Sequence, residues 1–222
     1  MTDDTTEPDA GTGTGTGTDG MTEPAESSAV LLVDIDGGVA TVTLHRPTAR
    51  NALSQELRRT LWRTMTALGE DDAVDAIVLT GTDPAFCAGL DLKELAATSG
   101  AGLGVQAASE DDEGRGTAPS DVGAGTTTRP GPLPHLDKPV IGAVNGVAVT
   151  GGFELALNCD FLVASERAAF ADTHARMGIM PGWGLTVLLA EAVGLRRARE
   201  LSMTGNFLDA STALTWGLVN HV

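Results

Sequence analysis

The sequence predicts an α/β fold from two kinds of repeated pattern. Short aliphatic runs bounded by turn residues, such as Asp75–Gly81 and Val140–Val144, are typical of buried strands. Longer segments, of which 54–68 is the clearest, place apolar residues at helical spacing. Because the two patterns alternate along the chain, they favour an α/β domain. The chain has 222 residues, 42% of them hydrophobic, which is enough for one sizeable domain.

In the first half of the chain, we predict a hairpin followed by a helix. Val30–Asp34 and Val39–Leu44 flank Asp36-Gly37-Gly38, which is typical of a hairpin turn. After a loop, Ser54 can cap a helix whose core-facing residues recur at helical spacing: Leu57, Leu61, Met65 and Leu68. The elements that follow are a strand at Asp75–Gly81 and, from Phe86 to Leu95, a loop that runs into a short helix.

The second half of the chain repeats the alternation of strand and helix. Val140–Val144 is a strand, Asn145-Gly146 is a turn, and Phe153–Cys159 is a helix that follows two glycines. We expect Ala169–Gly178 to be irregular and Met180–Gly184 to be a tight turn. The other predicted elements are a strand at Phe161–Ala164 and helices at Leu185–Ala192 and Arg196–Met203.

Two segments are predicted to lie outside the folded core. Residues 1–28 contain seven acidic residues, no basic residue and a Gly-Thr alternation, and residues 98–132 are rich in glycine, serine, threonine and acids. Such compositions bury too little apolar surface to offset the entropy lost on ordering. We therefore predict a disordered tail at 1–28 and a domain at 29–222 that carries a flexible insertion at about 98–132.

Composition also bears on partners and location. The formal net charge is −16 and no basic patch is visible, which argues against binding to nucleic acid. Cys87 and Cys159 make neither a disulfide framework nor a metal site, and we expect Cys87 to be a small buried residue. No apolar run approaches the ~18 residues of a membrane span, and the acidic N-terminus is unlike a signal peptide. We predict a cytoplasmic protein without membrane insertion.

The stretch Lys138–Asp160 places two glycines beside a carboxylate. Gly151 and Gly152 stand at a predicted helix start, where the backbone can approach a ligand and point free N–H groups at it. Glu154 follows about one turn later. Such donors beside a carboxylate suit carbonyl chemistry, in which negative charge develops on an oxygen. The alternative is that the glycines only permit close packing and that Glu154 is a favourable first-turn acid.

A family resemblance rests on two glycine-bearing segments, Phe86–Lys93 (FCAGLDLK) and Asn145–Glu154 (NGVAVTGGFE). They closely resemble the two oxyanion-hole motifs of the crotonase family, the enoyl-CoA hydratase/isomerase superfamily. The segment FADTHARMGIMPGWG is also similar to the family, and the resemblance covers most of residues 29–97 and 133–222. It implies a crotonase-like spiral of ββα units that binds an acyl-CoA thioester. The backbone N–H groups that match Leu90 and Gly151 would form the oxyanion hole.

The resemblance also implies catalytic roles. In the hydratase members a glutamate that matches Glu154 helps to activate water, and a second glutamate falls at the position of His174. Because histidine also transfers protons near neutral pH, His174 is the candidate second proton-transfer group. One alternative is that His174 only lines the pocket wall. Another is that Asp172 substitutes for the missing acid, which is less favoured because its match in the family is not the acid position.

The leading hypothesis is an enoyl-CoA hydratase-like lyase that adds water to a 2-enoyl-CoA thioester through an oxyanion-stabilised enolate. The alternatives are an enoyl-CoA isomerase of the same family and an acyl-CoA-binding protein that is catalytically weak or inactive. No cofactor is expected, since coenzyme A is part of the substrate, and no metal is expected.

The remaining expectations also come from the resemblance. Ala88 would offer its backbone to the adenine end of coenzyme A, and Asp91 is grouped with the residues that bind the substrate. Lys93 resembles a position near the CoA phosphates; the alternative is a solvated lysine on a helix. Family members generally continue past the position of Val222 into helices, so we expect a truncated C-terminal helical region. A homotrimer or hexamer is implied as well.

Overall fold

A computed structural model describes residues 29–98 and 131–222 of the protein. The strands within these ranges are β1 (Leu31–Asp36), β2 (Val39–Leu44), β3 (Ala76–Gly81), β4 (Ala85–Cys87), β5 (Val140–Val144), β6 (Val147–Val149), β7 (Phe161–Ala164), β8 (Ala169–Ala171) and β9 (Leu208–Asp209). The helices are α1 (Gln55–Glu70), α2 (Leu92–Thr98), α3 (Gly151–Leu157), α4 (His174–Met177), α5 (Leu185–Val193), α6 (Leu195–Thr204) and α7 (Ala210–Trp216), with a 3-10 turn at Pro47–Ala49.

Two sheets form the frame of the domain. The first has the strand order β1-β2-β3-β5-β7, with β1 antiparallel to β2 and the other neighbours parallel. The second has the order β4-β6-β8-β9 and is parallel except between β8 and β9. From β3 onward, successive strands alternate between the sheets and a helix follows each pair: β3-β4-α2, β5-β6-α3 and β7-β8-α4. This is the spiral of ββα units that the resemblance implied.

The first hairpin and α1 form as the sequence predicts. Gly37 and Gly38 both adopt positive φ, 54° and 80°, in the two-residue turn between β1 and β2. Glycine takes this conformation without steric cost. At the start of α1, the Ser54 hydroxyl accepts a hydrogen bond of 3.1 Å from the backbone N–H of Leu57. The predicted apolar stripe of the helix is buried in the core: Leu57, Leu61, Met65 and Leu68.

The prediction that Ala169–Gly178 is irregular is wrong. This segment contains β8 and α4. The sequence also left β4, β6, β9 and α7 without an assignment. A strand of two or three residues is too short to show a two-residue period, so its place is set by pairing with its neighbours.

Residues 1–28 and nearly all of the predicted insertion at 98–132 lie outside the described ranges. The disordered tail and the flexible insertion therefore stay predictions. The last residues of the chain lie beside β7, where the Asn220 N–H donates to the carbonyl oxygen of Leu162 at 2.8 Å. His221 forms a parallel bridge with Val163. Within residues 29–98 and 131–222, no helix is long and apolar enough to cross a membrane.

The second sheet brings three distant segments to one edge. In the parallel pairs, Cys87 of β4 lies opposite Ala148 of β6, and Val149 of β6 lies opposite Ala171 of β8. Carboxyl ends of parallel strands share an edge of a sheet, which is where ligands commonly bind in α/β folds. The loop after β4, the start of α3 and the connection from β8 to α4 consequently leave the sheet side by side.

Candidate active site

The two predicted oxyanion donors lie close together at this edge. Leu90 follows β4, and Gly151 is the first residue of α3. A Cβ atom placed on Gly151 would lie 3.6 Å from the backbone nitrogen of Leu90, and one placed on Gly89 would lie 3.3 Å from the nitrogen of Gly151. Among the described residues, no acceptor bonds the N–H of Leu90 or of Gly151. The two N–H groups are therefore unpaired within the described residues and lie close together.

Backbone hydrogen bonds pin the loop that carries Leu90. The Leu53 N–H donates to the Gly89 carbonyl at 2.7 Å, and the Asp91 N–H donates to the Leu53 carbonyl at 3.2 Å. The Arg46 guanidinium forms an ion pair of 2.9 Å with the Asp91 carboxylate. Burial opposes the ionisation of Asp91, but Arg46 and the first N–H groups of α2 lower the pKa of this carboxyl. These contacts hold the donor loop against the segment that precedes α1.

The two glycines at the start of α3 serve different purposes. A Cβ atom on Gly152 would lie 2.7 Å from the carbonyl carbon of Cys87, so this glycine allows α3 to pack onto β4. A Cβ atom on Gly151 would meet only ordinary to tight contacts, the tightest being 3.2 Å from Cζ3 of Trp183. Close packing therefore accounts for Gly152, whereas Gly151 lies beside the backbone nitrogen of Leu90 with room for a Cβ atom.

Glu154 lies on the buried face of α3 and is 2% exposed. Its Oε1 accepts the backbone N–H of Trp183 at 2.7 Å and that of Leu185 at 3.4 Å. Its Oε2 lies 3.5 Å from Nε2 of His174. The carboxylate is therefore oriented by the turn before α5, with one oxygen directed at the histidine.

His174 lies between two carboxylates. The residue is 5% exposed, and its Nδ1 lies 2.7 Å from Oδ1 of Asp172, which also accepts the His174 backbone N–H at 3.2 Å. Burial opposes charging of the imidazole, but the hydrogen bonds and charges of Asp172 and Glu154 outweigh it and raise the pKa of His174 to about 9. The two carboxylates therefore favour the charged form of the ring near neutral pH.

Asp172 is ionised beside this cation. The residue is 2% exposed, and burial raises its pKa. Hydrogen bonds from His174 and Ser202 and the positive charge of His174 exceed this effect and hold the pKa of Asp172 below its ordinary value. The structure thus assembles a buried row of three groups in the order Asp172, His174, Glu154.

The predicted CoA-binding residues flank Leu90 at the other side of the site. Ala88 is half-buried, and its N–H donates to the Arg50 carbonyl at 3.0 Å. Lys93 has an exposed side chain on α2, and its backbone N–H donates to Asp91 Oδ1 at 3.1 Å. Cys87 is fully buried, as expected, and burial raises the pKa of its thiol to about 12.

Sequence reasoning missed two residues that build the site. Asn51 is fully buried with φ of 56°, and its side-chain amide donates to the carbonyls of Thr82 and Ala85, which anchors the loop before α1. Trp183 orients Glu154 through its backbone and lies against Gly151. Asparagine is enriched at positive φ, so the residue type of Asn51 was a weak signal. Trp183 was visible only as part of a turn. No group of three or more His, Cys, Asp and Glu in the described part of the chain is arranged to hold a metal ion.

Known proteins are similar in sequence to most of this chain. The family described as enoyl-CoA hydratase/isomerase matches residues 34–113 and 131–222. A probable peroxisomal enoyl-CoA hydratase of Arabidopsis thaliana is 37% identical over 91% of this chain and 69% of its own length. The short-chain-enoyl-CoA hydratase of Clostridium acetobutylicum is 35% identical over 86% of this chain and 68% of its own.

A solved structure extends the agreement to the fold. The crystal structure of an enoyl-CoA hydratase from Mycobacterium smegmatis matches with a TM-score of 0.71 and 49% identity, over 88% of this chain and 74% of that one. The motifs, the spiral of ββα units and these matches lead to one conclusion: the chain belongs to the enoyl-CoA hydratase/isomerase family.

Proposed function

We propose that this protein adds water across the double bond of 2-enoyl-CoA thioesters. The observation that carries the proposal is that two kinds of group lie together at α3. The unpaired N–H donors of Leu90 and Gly151 lie at its start, and the same helix carries Glu154, which forms a buried pair with His174. Relatives of hydratase function, similar to most of this chain, support the same reaction. The proposal thus joins a site for an oxyanion to a site for proton transfer.

The oxyanion hole would stabilise the charge that develops on the thioester oxygen. When water attacks the β-carbon, the electron pair of the double bond moves toward the carbonyl and forms an enolate. The N–H groups of Leu90 and Gly151 are held in place by the sheet and by the pinned loop, so they need no reorganisation. Removal of one such donor typically costs about 2.7–4 kcal/mol of transition-state stabilisation.

Glu154 would take the proton from the attacking water. Two backbone N–H groups hold its Oε1, and this leaves Oε2 for exchange of a proton. His174 would be the second proton-transfer group in place of the family's second glutamate. Its Nε2 contact with Glu154 supports that role over a pocket-wall role, because it places two proton-exchanging atoms 3.5 Å apart.

The coenzyme A moiety would lie along the loop after β4. In this proposal the Ala88 backbone receives the adenine end and the exposed Lys93 faces the phosphates. Asp91 accepts the first N–H groups of α2 and pairs with Arg46. A point positive charge suits phosphate oxygens. Lys93→Ala should therefore weaken binding of the CoA ester more than it lowers turnover at saturation.

The homotrimer or hexamer and the cytoplasmic location belong to the proposal too. Several large apolar side chains are exposed, among them Met203 at 78% and Met180 at 75%, and exposed apolar patches mark interaction surfaces. Light scattering on a size-exclusion column would measure the oligomer. A fluorescent fusion would test the location.

The experiment that tests the function is turnover of crotonyl-CoA, measured as loss of the absorbance of the conjugated thioester. Glu154→Gln keeps the shape of the side chain but removes the base, so we expect turnover to fall about 10²–10⁴-fold with little change in binding. Glu70→Gln changes an exposed glutamate at the end of α1; it is the matched control and should keep full activity. Binding without turnover by wild type would contradict the proposal, and conversion of a 3-enoyl-CoA without hydration would favour an isomerase.

A further inference from the structure

Asp172 is a buried carboxylate to which the mechanism above assigns no step. A carboxylate is expensive to bury unless it is paired and hydrogen-bonded. Here the partner is the imidazole of His174, whose other ring nitrogen faces Glu154. The arrangement connects Asp172 to the proposed reaction through one intervening side chain, without contact between Asp172 and the proposed base.

We propose that Asp172 is a positioning residue that holds His174 in its doubly protonated form, with Nε2–H directed at Glu154, so that His174 acts as the acid of the hydration. This inference rests on the proposed function, because it assigns the direction of proton transfer in that reaction. It differs from the alternative in which Asp172 itself replaces the missing glutamate.

The hydrogen-bond geometry places a proton on Nδ1 of the ring. A carboxylate oxygen only accepts, so the 2.7 Å contact requires that Nδ1 of His174 carry a proton and donate it to Asp172. Oδ1 of Asp172 also accepts the backbone N–H of His174, which fixes the carboxylate relative to the first turn of α4. The only ring nitrogen left for exchange is Nε2, on the side of Glu154.

The surroundings of the ring favour its charged form. The charged groups that face it are Glu154 from α3 and Asp172 from the β8–α4 connection. From α6, the Ser202 hydroxyl bonds Asp172 and so stabilises its negative charge. Arg176, on the same helix as His174, donates instead to the carbonyl at the end of α6. Although burial opposes charging, the two carboxylates raise the pKa of His174 to about 9.

The proton balance of the reaction follows from these roles. One O–H bond of water breaks as its proton passes to Oε2 of Glu154, and the oxygen bonds the β-carbon. The enolate formed at the oxyanion hole then takes a proton at its α-carbon from Nε2 of His174, and the electron pair returns from the oxygen. Transfer of the proton from Glu154 to Nε2, across their 3.5 Å contact, restores both groups. Asp172 stays ionised throughout.

The first test is NMR of wild-type protein labelled at histidine. We expect the His174 ring to titrate well above the ordinary pKa of about 6.5 and to show protons on both nitrogens at pH 7.5. This measurement requires neither turnover nor a variant. A wild-type His174 that titrates near the ordinary value, or that lacks the Nδ1 proton, would overturn the proposal.

The second test is Asp172→Asn, which removes the charge but keeps the size of the side chain. If Asp172→Asn lowers the pKa of His174 from about 9 toward its ordinary value of about 6.5, the protonated fraction and hence turnover fall by up to about 30-fold at pH 8, but by less than about twofold at pH 6. KM should change little. Asp71→Asn is the matched control, because Asp71 is an exposed aspartate that also accepts a local backbone N–H.

The outcomes separate this inference from the proposed function. If Asp172→Asn alters neither the pH dependence of turnover at alkaline pH nor the titration of His174, the positioning role is refuted while the hydratase function stands. If the titration of His174 differs between wild type and Asp172→Asn but wild type hydrates no enoyl-CoA, the proposed function is refuted, and with it the acid role of His174. A purely structural role would lower activity equally at pH 6 and pH 8, which also contradicts the proposal.

Discussion

The buried charge of His174 predicts that the stability of the fold depends on pH. Burial opposes this charge, but Asp172 and Glu154 raise the pKa of His174 from 6.5 to about 9 on folding. A group whose folded pKa lies above its unfolded value stabilises the fold fully below the unfolded pKa. The stabilisation is lost as the pH rises through the folded pKa. The charge of His174 should thus support the fold at pH 6 and contribute little at pH 9 and above.

The size of this effect follows from the shift. Each unit of pKa difference corresponds to about 1.36 kcal/mol. A rise from 6.5 to about 9 therefore gives a loss on the order of 3 kcal/mol in the free energy of unfolding between about pH 6 and pH 9. More than half of this loss falls above pH 7. The change is a sizeable part of the total stability of an ordinary domain.

Urea unfolding followed by tryptophan fluorescence measures the effect. The quantity of interest is the difference in unfolding free energy between wild type and His174→Gln at each pH. Cys87 and Cys159, whose thiol pKa values burial raises to about 12, contribute equally to both proteins and cancel in the difference. We expect the difference to shrink steadily from pH 6 to pH 9. A difference that stays constant across this range would refute the assignment of a buried imidazolium.

The structure makes two further predictions about individual residues. Gly152→Ala would force a Cβ atom against the Cys87 carbonyl and should lower the unfolding free energy by about 1–3 kcal/mol. Gly151→Ala should cost less stability but reduce turnover by crowding the proposed oxyanion hole. Thermal unfolding beside a turnover assay distinguishes the two, and equal loss of stability would contradict the distinction. Ser54→Ala removes the α1 cap to Leu57 and should cost about 1 kcal/mol in urea unfolding with activity at native conditions unchanged.

Elements with a strong local period were predictable from the sequence. The stripe of α1, the glycine turn between β1 and β2, and the core strands β3, β5 and β7 all carry their own signal in spacing and residue type. The strands of the second sheet carry no such signal in spacing and residue type. With two or three residues each, β4, β6, β8 and β9 form because neighbouring strands supply their hydrogen-bond partners.

The features of the site also fall into two classes, those that the sequence determines and those that depend on tertiary contacts. The amino-acid sequence by itself determined which groups are present: glycines where two segments must approach, a glutamate one turn into α3, and the histidine at position 174. Only the tertiary structure decided that His174 is held between Asp172 and Glu154. The physical reason is the register of β6 against β8, which places Val149 opposite Ala171 and so starts α3 beside the segment that leads into α4. The contact between Glu154 and His174, twenty positions apart, depends on that pairing, and so does the charge that the contact stabilises. Neither can be read from local spacing.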